Sequence, residues 1–259
     1  MRAPERRPYV VFTTQRTGSS WLMDLLNRAP GVEGHQEIFL PRPRERPAAA
    51  GRNDYPRFVE WRRARRRSPR PFSVFEYLDG LYDRAGAVGF KLMYSQLRLF
   101  PEIALHLAWR RVRIVHLVRR NHLDVIVSSA IRGVTGSAHA TTPAAGPLRV
   151  RLEAPSLVGR IERLERNVRR ARRIVGWLPG ERVEVSYEAL VAAPDAFRSV
   201  LAFLAPEASP AGGDSVLVKR QQRPRAEAIA NYDEVERALA GTRWAWLLDE
   251  DVNLSSTAG

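Results

Sequence analysis

The sequence predicts an α/β fold, a central and mainly parallel β-sheet flanked by helices. Three observations carry this expectation. Three short apolar runs, Tyr9–Thr13, Ala87–Met93 and Val112–Val118, and the segment Arg182–Ser186 have strand character. The segments between them place apolar residues at helical spacings of three and four. The chain has 259 residues, 44% of them hydrophobic, enough to bury a sizeable core without staples. Strands that alternate with helices are buried on both faces of their sheet, hence the parallel arrangement.

In chain order, Tyr9–Thr13 is the first strand. The turn Thr14–Ser20 contains Gly18, and Trp21–Asn27 has helical apolar spacing, so a helix starts at Ser19 or a neighbour. Asn27–Gly34 closes that helix in a Pro/Gly turn. Pro41–Pro71 is rich in Pro and Arg and reads as an excursion from the core, with one short basic helix at Tyr55–Arg67. Ala87–Met93 is the second strand, Gln96–Trp109 a helix and Val112–Val118 the third strand, followed by a helix at about Leu123–Ile131. Gly133–Pro147 is a Gly/Ala/Thr/Pro loop. Ser156–Leu178 is a long amphipathic helix whose apolar face is Leu157, Ile161, Leu164, Val168, Ala171 and Val175. Arg182–Ser186 is the fourth strand, with helices at Tyr187–Val191, Pro194–Leu204 and Tyr232–Leu239. No linker cleanly splits the chain. One domain spanning 1–259 is expected, with a basic excursion at about 41–72 and a mobile loop at about 133–155.

Composition narrows the function classes. Cysteine is absent, which excludes a disulfide scaffold, a thiolate metal site and a cysteine nucleophile. No run of about 18 apolar residues is present, so no membrane-spanning helix is expected. The basic Met1–Pro8 leads into an apolar stretch too short for a signal peptide, and a soluble, cytoplasmic protein is the expectation. The five histidines, His35, His106, His116, His122 and His139, show no ligand spacing, so no metal site is expected.

The net charge is +14, and only Lys91 and Lys219 among the 42 basic residues are lysines. Such a balance fits an anionic partner: a nucleic acid, a membrane surface or a phosphorylated small molecule. The charge is uneven. Arg42–Phe72 has eleven Arg against Glu45, Asp54 and Glu60, a net of +8. Arg160–Arg173 has seven Arg against Glu162 and Glu165, a net of +5. Within the excursion, Tyr55, Phe58 and Trp61 either stack on an acceptor or form one buried helix face.

Two turns carry chemistry. The first is Gln15-Arg-Thr-Gly-Ser-Ser-Trp21. A strand, a glycine turn and a helix start together make an anion site, because backbone N–H groups and the helix dipole both favour negative charge. Thr17, Ser19 and Ser20 add hydroxyl donors, and Arg16 adds a fixed cationic fork. The G-x-x-x-x-G-K-[ST] phosphate loop is absent. The second is Arg120-Asn-His-Leu-Asp-Val-Ile-Val-Ser128, where Arg120 and Ser128 are suited to another phosphate. Each turn by itself is equally well an ordinary capped helix start. Lys91, inside an apolar strand, either points at the ligand or pairs with a buried carboxylate.

Taken together, R-T-G-S-S-W and R-N-x-x-D-x-x-x-S resemble the sulfotransferase superfamily. The resemblance implies a P-loop-like three-layer fold and 3′-phosphoadenosine 5′-phosphosulfate (PAPS) as donor, leaving as adenosine 3′,5′-bisphosphate (PAP), with no metal. Arg16, Thr17, Gly18, Ser19, Ser20 and Trp21 look like the 5′-phosphosulfate loop, although many members have Lys where this chain has Arg16. Arg120 and Ser128 look like the 3′-phosphate motif. Val183-Glu-Val-Ser-Tyr-Glu-Ala-Leu190 resembles a strand whose following Tyr, here Tyr187, lies near the adenine. Lys219 and Arg220, with Arg223 and Arg225, are either a segment closing over the 3′-phosphate or a plain solvated basic run.

Gly31-Val-Glu-Gly-His-Gln-Glu-Ile-Phe39 and Gly89-Phe-Lys-Leu-Met-Tyr-Ser-Gln96 narrow the resemblance to trehalose 2-sulfotransferase-type bacterial carbohydrate sulfotransferases. In that group a Glu in a Q-E-x-F context is the catalytic base; the matching residue is Glu37. His35 is the rival base, since other branches use His. The implied acceptor is a hydroxyl of a sugar, a glycosylated metabolite or a phenol, and similar enzymes often pair as homodimers. Two other readings stand beside this one. A P-loop-like nucleotide kinase lacks its Walker lysine here, and an Arg-rich nucleic-acid-binding module has no need of the Arg16 loop.

Overall fold

The computed structural model describes residues 6–40, 55–65, 68–135, 148–208 and 224–249. The elements in chain order are β1 (Arg6–Thr13), α1 (Ser19–Leu26), β2 (Val32–His35), α2 (Phe58–Ala64), α3 (Phe72–Tyr82), β3 (Gly86–Met93), α4 (Tyr94–Leu99), α5 (Glu102–Trp109), β4 (Arg113–Val118), α6 (His122–Thr135), α7 (Ala154–Trp177), β5 (Arg182–Ser186), α8 (Tyr187–Ala192), α9 (Pro194–Leu204), α10 (Arg225–Ala228) and α11 (Tyr232–Leu239), with a 3₁₀ turn at Ala245–Leu248. They form two compact units, residues 1–118 with 171–216, and residues 119–170 with 217–259.

The first unit is built on a five-stranded, all-parallel sheet in the order β2-β3-β1-β4-β5. Its central strand explains the architecture. Side chains alternate across a strand, so a strand buried on both faces reads as a continuous apolar run. In β1, Val10 and Phe12 pack with Leu78, Leu81, Ile103 and Leu107 of α3 and α5. Tyr9 and Val11 pack on the other side with Leu22 and Leu26 of α1 and Leu201 and Leu204 of α9. The α/β expectation is met.

One strand goes beyond the four that the sequence predicts. The Pro/Gly turn expected to run to Gly34 instead gives way to edge strand β2, paired to β3. The physical reason is Tyr9. It lies in register with Gly89, which lies in register with Gly34. A Cβ on Gly89 would fall 2.5 Å from the Tyr9 ring, and one on Gly34 would fall 2.7 Å from its hydroxyl. The ring lies across β3 and reaches β2, and glycine is the residue that admits it. The Asn27 side chain then ties the end of α1 to Gly34, donating to its carbonyl at 2.9 Å and accepting from its N–H.

The helix expected at Gln96–Trp109 is two helices. Pro101 cannot continue a helix interior, so α4 ends before it and α5 starts after it. Of the basic excursion, residues 41–54 and 66–67 lie outside the described residues. Between them Tyr55 and Phe58 are buried, and Trp61 packs against Phe58 and Tyr77. Tyr55 and Phe58 belong to the core, and Trp61 is partly buried against it.

The second unit has its own core. Leu123 and Ile126 of α6, Leu157 and Ile161 of α7, Ile229, Val235 and Leu239, and Trp244 and Leu247 cluster together. Asp124 organises the start of α6. Arg119 donates to it at 3.0 Å, Arg225 at 2.9 Å, and its own N–H donates to the Asn121 side chain at 3.0 Å. Arg225, read from sequence as part of a basic closing or solvated run, is therefore buried against a carboxylate.

Candidate active site

The candidate residues of the first unit gather at the carboxyl ends of its strands, where open α/β sheets bind ligands. The loop after β1 is held from below by hydroxyls. Thr13 donates to the Leu117 carbonyl of β4 at 2.8 Å, and the Thr17 hydroxyl sits 2.7 Å from the Thr13 hydroxyl and 3.0 Å from the Thr14 carbonyl. Thr17 is buried, so its hydroxyl pins the loop. Arg16 and Gly18 both have left-handed backbone, with φ of 64° and 78°. Two such residues two positions apart turn the chain sharply into α1. Gly18 is the N-cap of α1. No side chain caps that first turn, and it contains no acidic residue. The leading amides and the positive end of the dipole are thus arranged for an anion.

Tyr187, first residue of α8 after β5, borders the loop. A Cβ on Gly18 would fall 2.7 Å from its ring carbon Cε2, and Trp21 meets the same ring edge-on with centroids 6.1 Å apart. Ser19 is buried and Ser20 half-buried.

Lys91 of β3 connects this loop to the acidic candidate. Its ammonium lies 3.1 Å from Glu37 Oε1 and donates to Ser20 Oγ at 3.4 Å. Lys91 therefore pairs with a carboxylate, though a partly exposed one, and reaches the loop. The Lys91 side chain is 7% exposed, whereas that of Glu37 is 26% exposed. The cation is embedded and the carboxylate faces outward. Gln96 of α4, which sequence reasoning passed over as a candidate, donates to Glu37 Oε2 at 3.3 Å.

His35 is placed differently. Its side chain is 1% exposed, and its Nε2 lies 3.0 Å from a Glu33 carboxylate oxygen, the same carboxylate that pairs with Arg84. In the second unit, Arg120 is exposed and Ser128, in α6, is half-buried. Lys219 and Arg220 lie outside the described residues. Among the described residues no group of three or more His, Asp or Glu is placed to hold a metal ion, and no helix is long and apolar enough to cross a membrane.

A polar chain on the other face of the same sheet also went unread in the sequence. Phe12, His116 and Glu184 occupy one register line across β1, β4 and β5. His116 bridges the Tyr94 hydroxyl at 2.7 Å and Glu184 at 2.9 Å, and Arg172 donates to Glu184 at 2.9 Å. Partial burial raises the Glu184 pKa. The hydrogen bonds from His116 and Arg172 outweigh that and hold it at about 2. Burial pushes the Tyr94 phenol up. The signal for this chain was weak: a histidine and a glutamate alternate with apolar residues on two strands, and only register shows that they meet.

Comparison with known proteins gives the family of the chain. A search of curated proteins found no match. The model of the sulfotransferase family, in contrast, matches residues 8–209. The matched span takes in β1 from residue 8 onward, the other four strands and every member of the loop, Glu37, Lys91 and Gln96 cluster. On that span, the chain belongs to the sulfotransferase family.

Proposed function

We propose that the chain transfers the sulfuryl group of PAPS to a hydroxyl of a small molecule (a sugar, a glycosylated metabolite or a phenol), with Glu37 as the base. Family membership supports sulfuryl transfer in general. The observation that carries the finer reading is the Lys91 bridge, 3.1 Å to Glu37 and 3.4 Å to Ser20. It joins a carboxylate able to take a proton to a helix start suited to an anion. The uncapped first turn of α1 and the left-handed Gly18 fit a phosphosulfate group.

PAPS supplies the sulfuryl group and leaves as PAP. The amides of residues 17–20 and Arg16 hold the phosphosulfate end and face the negative charge that grows there. Glu37 accepts the proton of the acceptor hydroxyl, and its outward exposure supports this role over His35, which is buried against Glu33. For Arg120 and Ser128 the 3′-phosphate role rests on the sequence resemblance, as does the adenine role of Tyr187.

Labelled PAPS, offered with a panel of sugars, glycosylated metabolites and phenols, identifies a working acceptor. On that acceptor Glu37→Gln is expected to lose about 10²–10⁴ in turnover, the usual contribution of a general base. PAP is expected to stabilise both proteins alike, by about 2.7 kcal/mol at 100 times its Kd. Near-normal turnover in Glu37→Gln sinks the base assignment. Equal or greater stabilisation by ATP sinks the donor assignment.

A further inference from the structure

We propose that Gln96 is a positioning residue for Glu37, and that its amide orientation is dictated by the end of β3. The inference rests on Glu37 being the base. Gln96 is 3% exposed and uses both ends of its amide. Its Oε1 accepts the backbone N–H of Met93 at 3.0 Å. An amide has one acceptor end and one donor end. With the oxygen committed to a buried backbone donor, the NH₂ group is obliged to face the other way, where Glu37 Oε2 lies at 3.3 Å.

Glu37 is thereby held at two points. Oε1 faces the Lys91 ammonium and Oε2 faces the Gln96 amide. Both holders are buried while the carboxylate is 26% exposed, so the grip comes from behind and leaves the outward side of each oxygen for a hydroxyl. An ionised carboxylate offers about four lone-pair sites, so two donors do not exhaust it. Without Gln96 the carboxylate keeps its Lys91 contact and gains rotation about that contact. A base that must meet a hydroxyl in line with a reacting centre loses rate steeply with small misplacements, on the order of 10²-fold for about 1 Å.

Gln96 also caps α4, whose N-cap is Met93. The substitution Gln96→Glu separates the two roles. It retains an acceptor for the Met93 N–H, so the cap survives, but it sets a second carboxylate against Glu37. Gln96→Met, in comparison, removes cap and grip together. The expected result is a fall in kcat of roughly 10- to 100-fold in both variants. Acceptor KM should change little, and PAP should raise Tm in the variants as it does in the parent. A double-mutant cycle tests the contact without any acceptor. Gln96→Glu should lower Tm in the native background and lower it less in Glu37→Gln, whose amide can donate to the new carboxylate.

Near-normal kcat in Gln96→Glu, or strictly additive Tm changes in the cycle, overturns the proposal and leaves the base assignment standing. Near-normal kcat in Glu37→Gln overturns the base assignment, and the positioning role with it.

Discussion

Replacing Gly18 by alanine is expected to cost about 2–4 kcal/mol of stability and to abolish the response to PAP. Two separate effects build that figure. Gly18 has φ of 78°, a conformation that costs an L-residue roughly 1–2 kcal/mol. Part of this is offset, by about 0.4–1 kcal/mol, because alanine has less freedom to lose on folding. The second effect is steric. The new Cβ would lie 2.7 Å from Tyr187 Cε2 and closer still to Cδ2, where carbon atoms rest at about 3.5–4.0 Å. The ring must retreat by roughly 1 Å, and overpacking of this kind costs about 1–3 kcal/mol.

Urea denaturation measures the sum, and a thermal scan should show Tm falling by roughly 5–15 °C, at about 2–4 °C per kcal/mol for a chain near this size. Pairing the change with Tyr187→Ala separates the parts. The clash disappears in the double variant and the backbone cost remains, so the two substitutions should be non-additive by about 1–2 kcal/mol. PAP should still fail to stabilise the double variant, because the new methyl remains in the loop and the Tyr187 ring assigned to the adenine is gone. A Gly18→Ala protein within about 0.5 kcal/mol of the parent, or a strictly additive pair, refutes the reasoning.

Arg16 offers the converse experiment. With φ of 64° it occupies backbone that glycine adopts freely, so Arg16→Gly should place no strain on the loop backbone. The same variant should bind PAP roughly tenfold or more weakly, the measure of a charge-assisted contact, as read by calorimetry. The Glu184 ion pairs predict a pH dependence. A carboxyl held at about 2 in the folded state and near 4.5 when unfolded contributes stability that is present above about pH 4.5 and lost as pH falls toward 2. Glu184→Gln should cost about 1 kcal/mol at pH 7, a small value because the side chain is 38% exposed and solvent screens it, and most of that cost should be gone at pH 2, where half of the carboxyl is protonated. A gap between the two denaturation curves that persists undiminished at pH 2 contradicts that account.

Much of the sheet was legible because burial on both faces leaves a local mark. Tyr9-Val-Val-Phe12 and the run from Ala87 announce parallel core strands without reference to anything distant. The long α7 was equally plain, since Leu157, Ile161, Val168, Ala171 and Val175 recur at helical spacing and are buried. β2 was hidden for a nonlocal reason. Its Gly34 reads as a turn residue, and only the Tyr9 ring lying over it explains a glycine within a strand. Tyr55 and Phe58 were ambiguous for the same kind of reason, because an aromatic stripe has the same spacing whether it meets a ligand or Tyr77.

The sequence alone determined the α/β class, the anion-suited turn after the first strand, and the family, because each rests on local residue patterns and on their order along the chain. Tertiary structure decided the partnerships. It set Lys91 between Ser20 and Glu37, placed Gln96 behind Glu37, and buried His35 against Glu33. It also lined up His116 with Glu184 across two strands far apart in the chain. Strand order and register fix which side chains become neighbours at a sheet edge, and neither quantity is written in any single segment.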